Sequence, residues 1–248
     1  MNLILVREEE LGPGKLATLG GERAQHIREV LKAGPGAAVR VGLLNGPLGV
    51  ATVARVEGER VILSCVFEES APAAPRVDLL LALPRPKVLN RLWSQLAALG
   101  VGRIVLVNAA KVERCYFDSH VLLPEIYTPR LIEGLQQARD TRLPEVLVRK
   151  RFKPFVEDEL EGFFPAGLRL VADPGGGQRV GDLFSARSGQ APERVLPAVG
   201  PEGGWVSFEL DLLRTSGFEV VSMGARTLRT DTACIALLGA VAERLLQR

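Results

Sequence analysis

Val195-Leu196-Pro197-Ala198-Val199-Gly200-Pro201-Glu202-Gly203-Gly204-Trp205 carries a short apolar run straight into a glycine-rich loop. An apolar run of that length without polar alternation reads as a strand buried on both faces. The glycines after it let the chain turn sharply and leave peptide groups bare. The same arrangement recurs nearby: 168–172 precedes Asp173-Pro174-Gly175-Gly176-Gly177, and 218–222 precedes Met223-Gly224-Ala225-Arg226-Thr227-Leu228-Arg229-Thr230. Strands at 77–83 and 103–108 extend the series. Helical periodicity fills the intervals at 88–99, 124–139, 207–216 and 231–246. Gly100 stops the first helix, Pro124 opens the second, and Ser207 and Gly217 bound the third. This alternation predicts an α/β domain on a parallel sheet, with all three glycine loops at the sheet edge where such folds hold ligands.

Upstream the rhythm differs. Residues 38–67 alternate in short runs around Asn45-Gly46 and Gly58, the pattern of a β-meander. Ala24, Ile27, Val30 and Leu31 recur at helical spacing before Gly34-Pro35-Gly36, so the expectation is a small β-barrel with one helix. The Pro- and Ala-rich segment Ser70-Ala71-Pro72-Ala73-Ala74-Pro75 separates the two patterns and predicts domains at 1–70 and 76–248.

Composition bounds the function. Of 248 residues, 47% are hydrophobic and 24% charged, enough for a packed core and against disorder. The longest apolar stretch, 77–84, falls far below the roughly 18 residues of a membrane span, and a cytoplasmic protein is expected. Cys65, Cys115 and Cys234 are too scattered for a disulfide framework or a metal clip and read as buried thiols, while His26 and His120 lack companion ligands; no metal is expected. The net charge of +2 hides a gradient, since residues 76–153 hold 14 basic and 7 acidic groups, whereas 154–248 hold 9 and 13. A basic middle segment fits a local phosphate-binding face. Dinucleotide, P-loop and serine-hydrolase fingerprints are absent.

Val199-Gly200-Pro201-Glu202-Gly203-Gly204-Trp205 with Glu209, followed by Met223-Gly224-x-Arg226-x-Leu228-Arg229-Thr230-Asp231-Thr232-Ala233, resembles the signature of the SPOUT-class family that methylates N3 of a uridine in bacterial 16S ribosomal RNA. The stretch His26-Ile27-x-x-Val30-Leu31, Lys87 and Leu99-Gly100-Val101 fall where that family has similar residues, so the likeness extends along the chain. Three departures stand out. Gln136-Gln137-Ala138-Arg139-Asp140-Thr141-Arg142 replaces the family's Glu-Gln-Ser-x-Arg, Trp205 replaces phenylalanine, and Asp231 replaces glutamate.

The resemblance implies a trefoil-knotted α/β methyltransferase domain preceded by a PUA-like barrel. It implies S-adenosylmethionine as cofactor, ribosomal RNA of the small subunit as partner, and a homodimer joined through helix 231–246. On that helix Ile235, Leu238, Val241, Ala242 and Leu245 form an apolar stripe. The cofactor would lie against Asp173, Val199, Gly200, Pro201, Glu202, Gly203, Met223, Gly224, Leu228, Arg229 and Thr230. Uracil N3 must lose a proton to become a nucleophile, so a cation should meet the developing anion. Arg229 is the first candidate for that role, and Glu202 could accept a proton or the cofactor's amino group, the alternative being a supporting ion pair between the two. Candidate phosphate contacts are Arg7, Arg28, Lys87, Arg91, Arg139 and Arg142. Two competing readings are a 2′-O-ribose methyltransferase on the same fold and a non-catalytic RNA-binding protein.

Overall fold

In the computed structural model, residues 3–187 and 192–246 are described. The chain forms two compact units, one of Met1–Ala74 with Leu131–Leu143 and one of Pro75–Arg130 with Pro144–Arg248. The return of Leu131–Leu143 to the amino-terminal unit is absent from a linear division at 70–75.

The first unit contains β1 (Ile4–Val6), β2 (Leu11–Gly12), β3 (Leu16–Leu19), α1 (Gly21–Gln25), β4 (Ala38–Leu43), β5 (Leu48–Glu57) and β6 (Arg60–Phe67). They make a six-stranded sheet in the order β1-β4-β5-β6-β3-β2, antiparallel except for β1 against β4. Asn45, at φ +61°, turns the expected hairpin between β4 and β5. The alternating inward residues Val39, Val41, Ala51, Val53, Val61 and Leu63 pack with Ala24 and Ile27 into one core. The helical periodicity fails beyond Ile27. From His26 the backbone widens into a π turn, His26–Val30, so the next apolar residues leave the buried face: Val30 and Leu31 are exposed. Leu131–Leu143 is tied to the hairpin, with Asn45 N–H donating to Thr141 O at 2.7 Å and Thr141 Oγ1 donating to Gly46 O at 2.6 Å.

The second unit contains β7 (Val77–Ala82), α2 (Pro86–Ala98), β8 (Val101–Val107), the start of α3 (Pro124–Ala138), β9 (Glu145–Arg149), α4 (Phe152–Pro154), α5 (Leu160–Phe163), β10 (Leu168–Ala172), α6 (Val180–Ala186), β11 (Val195–Val199), α7 (Ser207–Thr215), β12 (Phe218–Val221) and α8 (Thr230–Leu246). All six strands are parallel, in the order β12-β10-β11-β7-β8-β9. From β7 the chain builds outward through β8 to β9. It then crosses back to lay β10 on the other side, inserts β11 between β10 and β7, and adds β12 outside β10. The direction of winding therefore changes beside β11, where an open α/β sheet leaves a crevice at its carboxyl edge.

β7 and β11 are buried along their whole length, as largely apolar strands in the middle of a covered parallel sheet are. β9 escaped the sequence reading because it is an edge strand whose residues are only half covered. Asp78 is the polar exception inside β7. It is fully buried, and its Oδ2 accepts from Arg103 Nη2 at 2.6 Å and Arg194 Nη2 at 2.7 Å. On α8 the supposed interface stripe is mostly core: Leu238, Val241 and Leu245 are buried where the helix packs on β11, α2 and α6 of the same chain. Only Ile235 of the apolar stripe is substantially exposed, at 38%. Cys65 and Cys234 are buried as expected, but Cys115 is exposed because it lies in a short 3-10 turn, Arg114–Asp118, outside the sheet.

Candidate active site

Because β10, β11 and β12 are adjacent and parallel, the loops that follow them emerge at one edge and enclose an open pocket of about 610 Å³ including its mouth. Its wall includes Asp173, Val199, Gly200, Pro201, Glu202, Met223, Gly224, Leu228 and Thr230, all expected from sequence. Ala172, Pro174, Gly204, Trp205, Arg226, Thr227 and Ala233 complete it. All but Ala172 lie within the quoted loop stretches and were not singled out as ligand contacts; Ala172, the last residue of β10, is marked only by its strand-end position.

The loops hold their shape through short-range contacts. Asp173 Oδ1 accepts from the Gly175 N–H at 2.8 Å, and the Asp173 N–H donates to Val221 O at 3.0 Å, fastening the first loop to β12. Gly204 at φ +70° and Gly224 at φ +104° occupy backbone conformations that side chains disfavour. Thr230 is buried at the start of α8, its hydroxyl 3.5 Å from Gly200 O. Trp205 lies against Gly200, where an added Cβ would come within 3.1 Å of its Nε1, and stacks obliquely on Phe152 with ring centroids 5.5 Å apart. The buried indole thereby forms part of the pocket wall beside Gly200.

Glu209 explains itself only in three dimensions. The carboxylate is buried, with Oε1 accepting from Ala110 N–H at 2.6 Å and Oε2 from Val206 N–H at 2.9 Å, so it caps α7 and pins the loop after β8. Lys111 reinforces that link by donating to Gly203 O at 2.6 Å. Gly203 itself does not line the pocket; an added Cβ would lie 2.7 Å from Lys111 Cδ. A side chain at Gly203 would therefore crowd Lys111.

Arg229 and Glu202 are not paired with each other. Glu202 Oε1 accepts from the Arg85 N–H at 3.1 Å, whereas Arg229 is exposed outside the pocket wall with Nε 3.6 Å from Asp231 Oδ1. Asp231 also accepts from Arg91 Nη2 at 3.0 Å, which occupies one of the proposed phosphate contacts. Lys87 is exposed on α2. In the amino-terminal unit Arg7 and Arg139 are exposed, Arg28 donates to Gly58 O at 3.0 Å, and Arg142 closes on Pro72 O at 2.9 and 2.7 Å. The Arg142 guanidinium is thus engaged in holding the chain segment before β7.

Among the described residues no helix is long and apolar enough to cross a membrane, and no three His, Cys, Asp or Glu side chains converge as a metal site. A family model of an RNA methyltransferase domain matches residues 71–242. The Ribosomal RNA small subunit methyltransferase E of Treponema pallidum is 32% identical over 97% of this chain and 90% of its own length. The Ribosomal RNA small subunit methyltransferase E 1 of Borreliella burgdorferi is 24% identical over 99% of both chains. Among solved structures, a Legionella pneumophila methyltransferase in complex with its cofactor SAM superposes with a TM-score of 0.77 at 23% identity, covering 98% of this chain and 97% of the other. The Neisseria gonorrhoeae Ribosomal RNA small subunit methyltransferase E bound to S-adenosyl methionine gives 0.77 at 20% identity with the same coverage. These two share the α/β fold described above. With the carboxyl-edge pocket and these full-length likenesses together, the chain belongs to the RNA methyltransferase family, in its small-subunit ribosomal RNA methyltransferase E branch.

Proposed function

We propose that the protein transfers a methyl group from S-adenosylmethionine to N3 of a uridine in 16S ribosomal RNA of the small ribosomal subunit, in the cytoplasm. The observation that carries the reading is the convergence of three glycine-bearing loops on one pocket at the switch point of a parallel sheet. The pocket suits a nucleoside with a polar tail: Gly200, Gly204 and Gly224 expose peptide groups, Leu228, Met223 and Val199 offer apolar faces, and Asp173 and Glu202 can accept hydrogen bonds. The cofactor-binding set proposed is Asp173, Val199, Gly200, Pro201, Glu202, Met223, Gly224, Leu228 and Thr230, with Gly203 holding Lys111 beside it and Arg229 assigned to the substrate.

S-adenosylmethionine would supply a methyl already activated by its sulfonium, so the chain's task is to align the acceptor and stabilise the charge left on it. Glu202, exposed at the pocket and held on only one side by Arg85, is placed to take the N3 proton. Arg229 is proposed to meet the uracil oxygens from above, its Asp231 contact being long enough to yield. The target must be unpaired or flipped, because N3 is occupied in a base pair. Exposed Arg7, Lys87 and Arg139, with Arg28 and Arg91, are proposed phosphate contacts, and the amino-terminal sheet is proposed to act as a PUA-like RNA-binding barrel. A trefoil knot and a homodimer, both implied by the family resemblance, complete the proposal.

Calorimetry tests the reading directly. The protein should bind S-adenosylmethionine or its demethylated product without added metal and should not bind NADH or ATP; the reverse result rejects it.

A further inference from the structure

Two glutamates follow β11, and they are held differently. Glu209 is buried and accepts through both oxygens, whereas Glu202 is exposed and accepts one hydrogen bond, from the Arg85 N–H to Oε1 at 3.1 Å. That donor sits in the loop after β7, in the tripeptide Pro84-Arg85-Pro86. Proline carries no N–H, so the tripeptide offers a single main-chain donor, and Glu202 takes it.

The donor is fixed from both sides. Leu83 N–H donates to Val107 O at 2.9 Å, which continues the pairing of β7 with β8 up to the first proline. Pro86 opens α2 at its first helical position and confines the residue before it to extended backbone, where Arg85 lies at φ −51° and ψ 137°. The Arg85 carbonyl accepts from Val88 N–H at 2.8 Å and Leu89 N–H at 3.0 Å, so the first turn of the helix holds the same residue. The acceptor is fixed only as far as its backbone. Gly204 N–H donates to Pro201 O at 2.8 Å, closing a turn with Glu202 at its first corner, and Lys111 donates to Gly203 O at 2.6 Å. Beyond that turn the Glu202 side chain has several rotatable bonds in solvent, and confining them has an entropic cost. A donor with no freedom of its own to lose restrains them with one hydrogen bond. Oε2 meets no donor among the described residues.

We infer that the Arg85 main-chain N–H is a positioning donor for Glu202: it holds Oε1 and leaves Oε2 as the oxygen free to take the N3 proton. This rests on the proposed uridine-N3 methylation for what the carboxylate does there. In that step the N3–H bond breaks and its proton goes to Oε2. The nitrogen keeps the electron pair and forms the bond to the methyl carbon, while the pair of the broken carbon–sulfur bond stays on sulfur. A carboxylate swinging among rotamers meets N3 for only a fraction of the time, and the single N–H raises that fraction. Any residue but proline supplies such an N–H, so the side chain at position 85 has no part in the role.

The test compares Arg85→Pro with Arg85→Ala in the full-length protein. Both lose the guanidinium, proline accepts the backbone angle that Arg85 already has, and the two variants differ in the N–H. Single-turnover methyl transfer is followed at saturating S-adenosylmethionine on small subunits lacking the modification, and S-adenosylhomocysteine affinity is measured by calorimetry. Arg85→Pro should transfer about tenfold more slowly than Arg85→Ala, with S-adenosylhomocysteine affinity within about threefold. In a Glu202→Asp background, where the shorter carboxylate falls short of the donor, proline in place of alanine should cost less than about twofold. Loop damage unconnected with Glu202 would cost the same in both backgrounds. Amide hydrogen exchange followed by NMR gives a readout free of turnover: the Arg85 N–H should exchange about tenfold faster in Glu202→Ala than in the wild type. That measurement needs no variant at position 85, so it decides the matter even where Arg85→Pro does not fold. Equal rates for Arg85→Pro and Arg85→Ala, an equal cost of proline in both backgrounds, Arg85→Pro that loses S-adenosylhomocysteine affinity as much as rate, or an Arg85 N–H indifferent to Glu202→Ala would each overturn the inference. A failure of the proposed methylation shows separately, as wild-type protein that binds no S-adenosylhomocysteine while its Arg85 N–H still responds to Glu202→Ala.

Discussion

At the scale of single residues, the pocket depends on backbone conformations that only certain side chains permit. Gly224 sits at φ +104° with open space where a Cβ would lie, so the objection to a side chain there is torsional and not steric crowding. Gly224→Ala should fold but shift the loop, costing about 1–3 kcal/mol of the local conformation and weakening S-adenosylhomocysteine accordingly in calorimetry. Unchanged affinity would detach that loop from cofactor binding. Gly203→Val should also perturb the site, but through displacement of Lys111 from Gly203 O. The cysteines give a second residue-scale test. Burial pushes the Cys234 thiol up to about 12 and also raises Cys65, while Cys115 lies exposed. A thiol reagent near neutral pH should therefore modify Cys115 in the folded protein and reach the other two only on unfolding, as counted by mass spectrometry. The glycine loops were legible because glycine at a strand end has few other uses. Arg85 and Lys111 were not, because nothing in their spacing says that loops from separate strands meet.

At the scale of elements, short and largely apolar runs announced β7, β8, β10, β11 and β12, and helical periodicity announced α2, α3, α7 and α8. The edge strand β9 and the short helices between β9 and β11 lacked either signal, since half-buried or short segments mix polar and apolar residues. It was the resemblance, not periodicity, that put the α8 stripe at an interface. The stripe on α8 was correctly apolar, but α2, α6 and β11 of the same chain cover it. Asp78 shows how one polar position can organise an element: its buried carboxylate joins Arg103 on β8 to Arg194 just before β11, across the amino edge of the sheet. Asp78→Ala would leave both cations without their shared acceptor and should destabilise the fold by about 3–5 kcal/mol in urea unfolding. A loss under about 1 kcal/mol would show that solvent replaces the carboxylate freely.

At the scale of the whole molecule, the order of strands decides what the sequence could not. Periodicity gave a parallel sheet but not the return of β10 or the insertion of β11, and these bring the three loops to adjacent strand ends. The two-part organisation was legible from the Pro- and Ala-rich segment, yet Leu131–Leu143 belongs with the amino-terminal unit. A fragment starting at Pro75 would strip Thr141 and Arg142 of their partners Gly46 and Pro72. Point variants are therefore the cleaner way to separate RNA binding from chemistry. For self-association the informative variant is Ile235→Glu, which changes an exposed position, whereas Leu238→Glu would place a charge in the chain's own core. Light scattering should give a dimer for the unmodified protein and a shift toward monomer for Ile235→Glu with the fold retained. The central claim is tested most directly by incubating the purified protein and S-adenosylmethionine with small ribosomal subunits that lack the modification, then digesting the RNA and identifying nucleosides by mass spectrometry. N3-methyluridine should appear, and should fall by on the order of a hundredfold in rate with Arg229→Ala. A 2′-O-methylated nucleoside in its place, or no methylated nucleoside from protein that binds S-adenosylmethionine, would contradict the account.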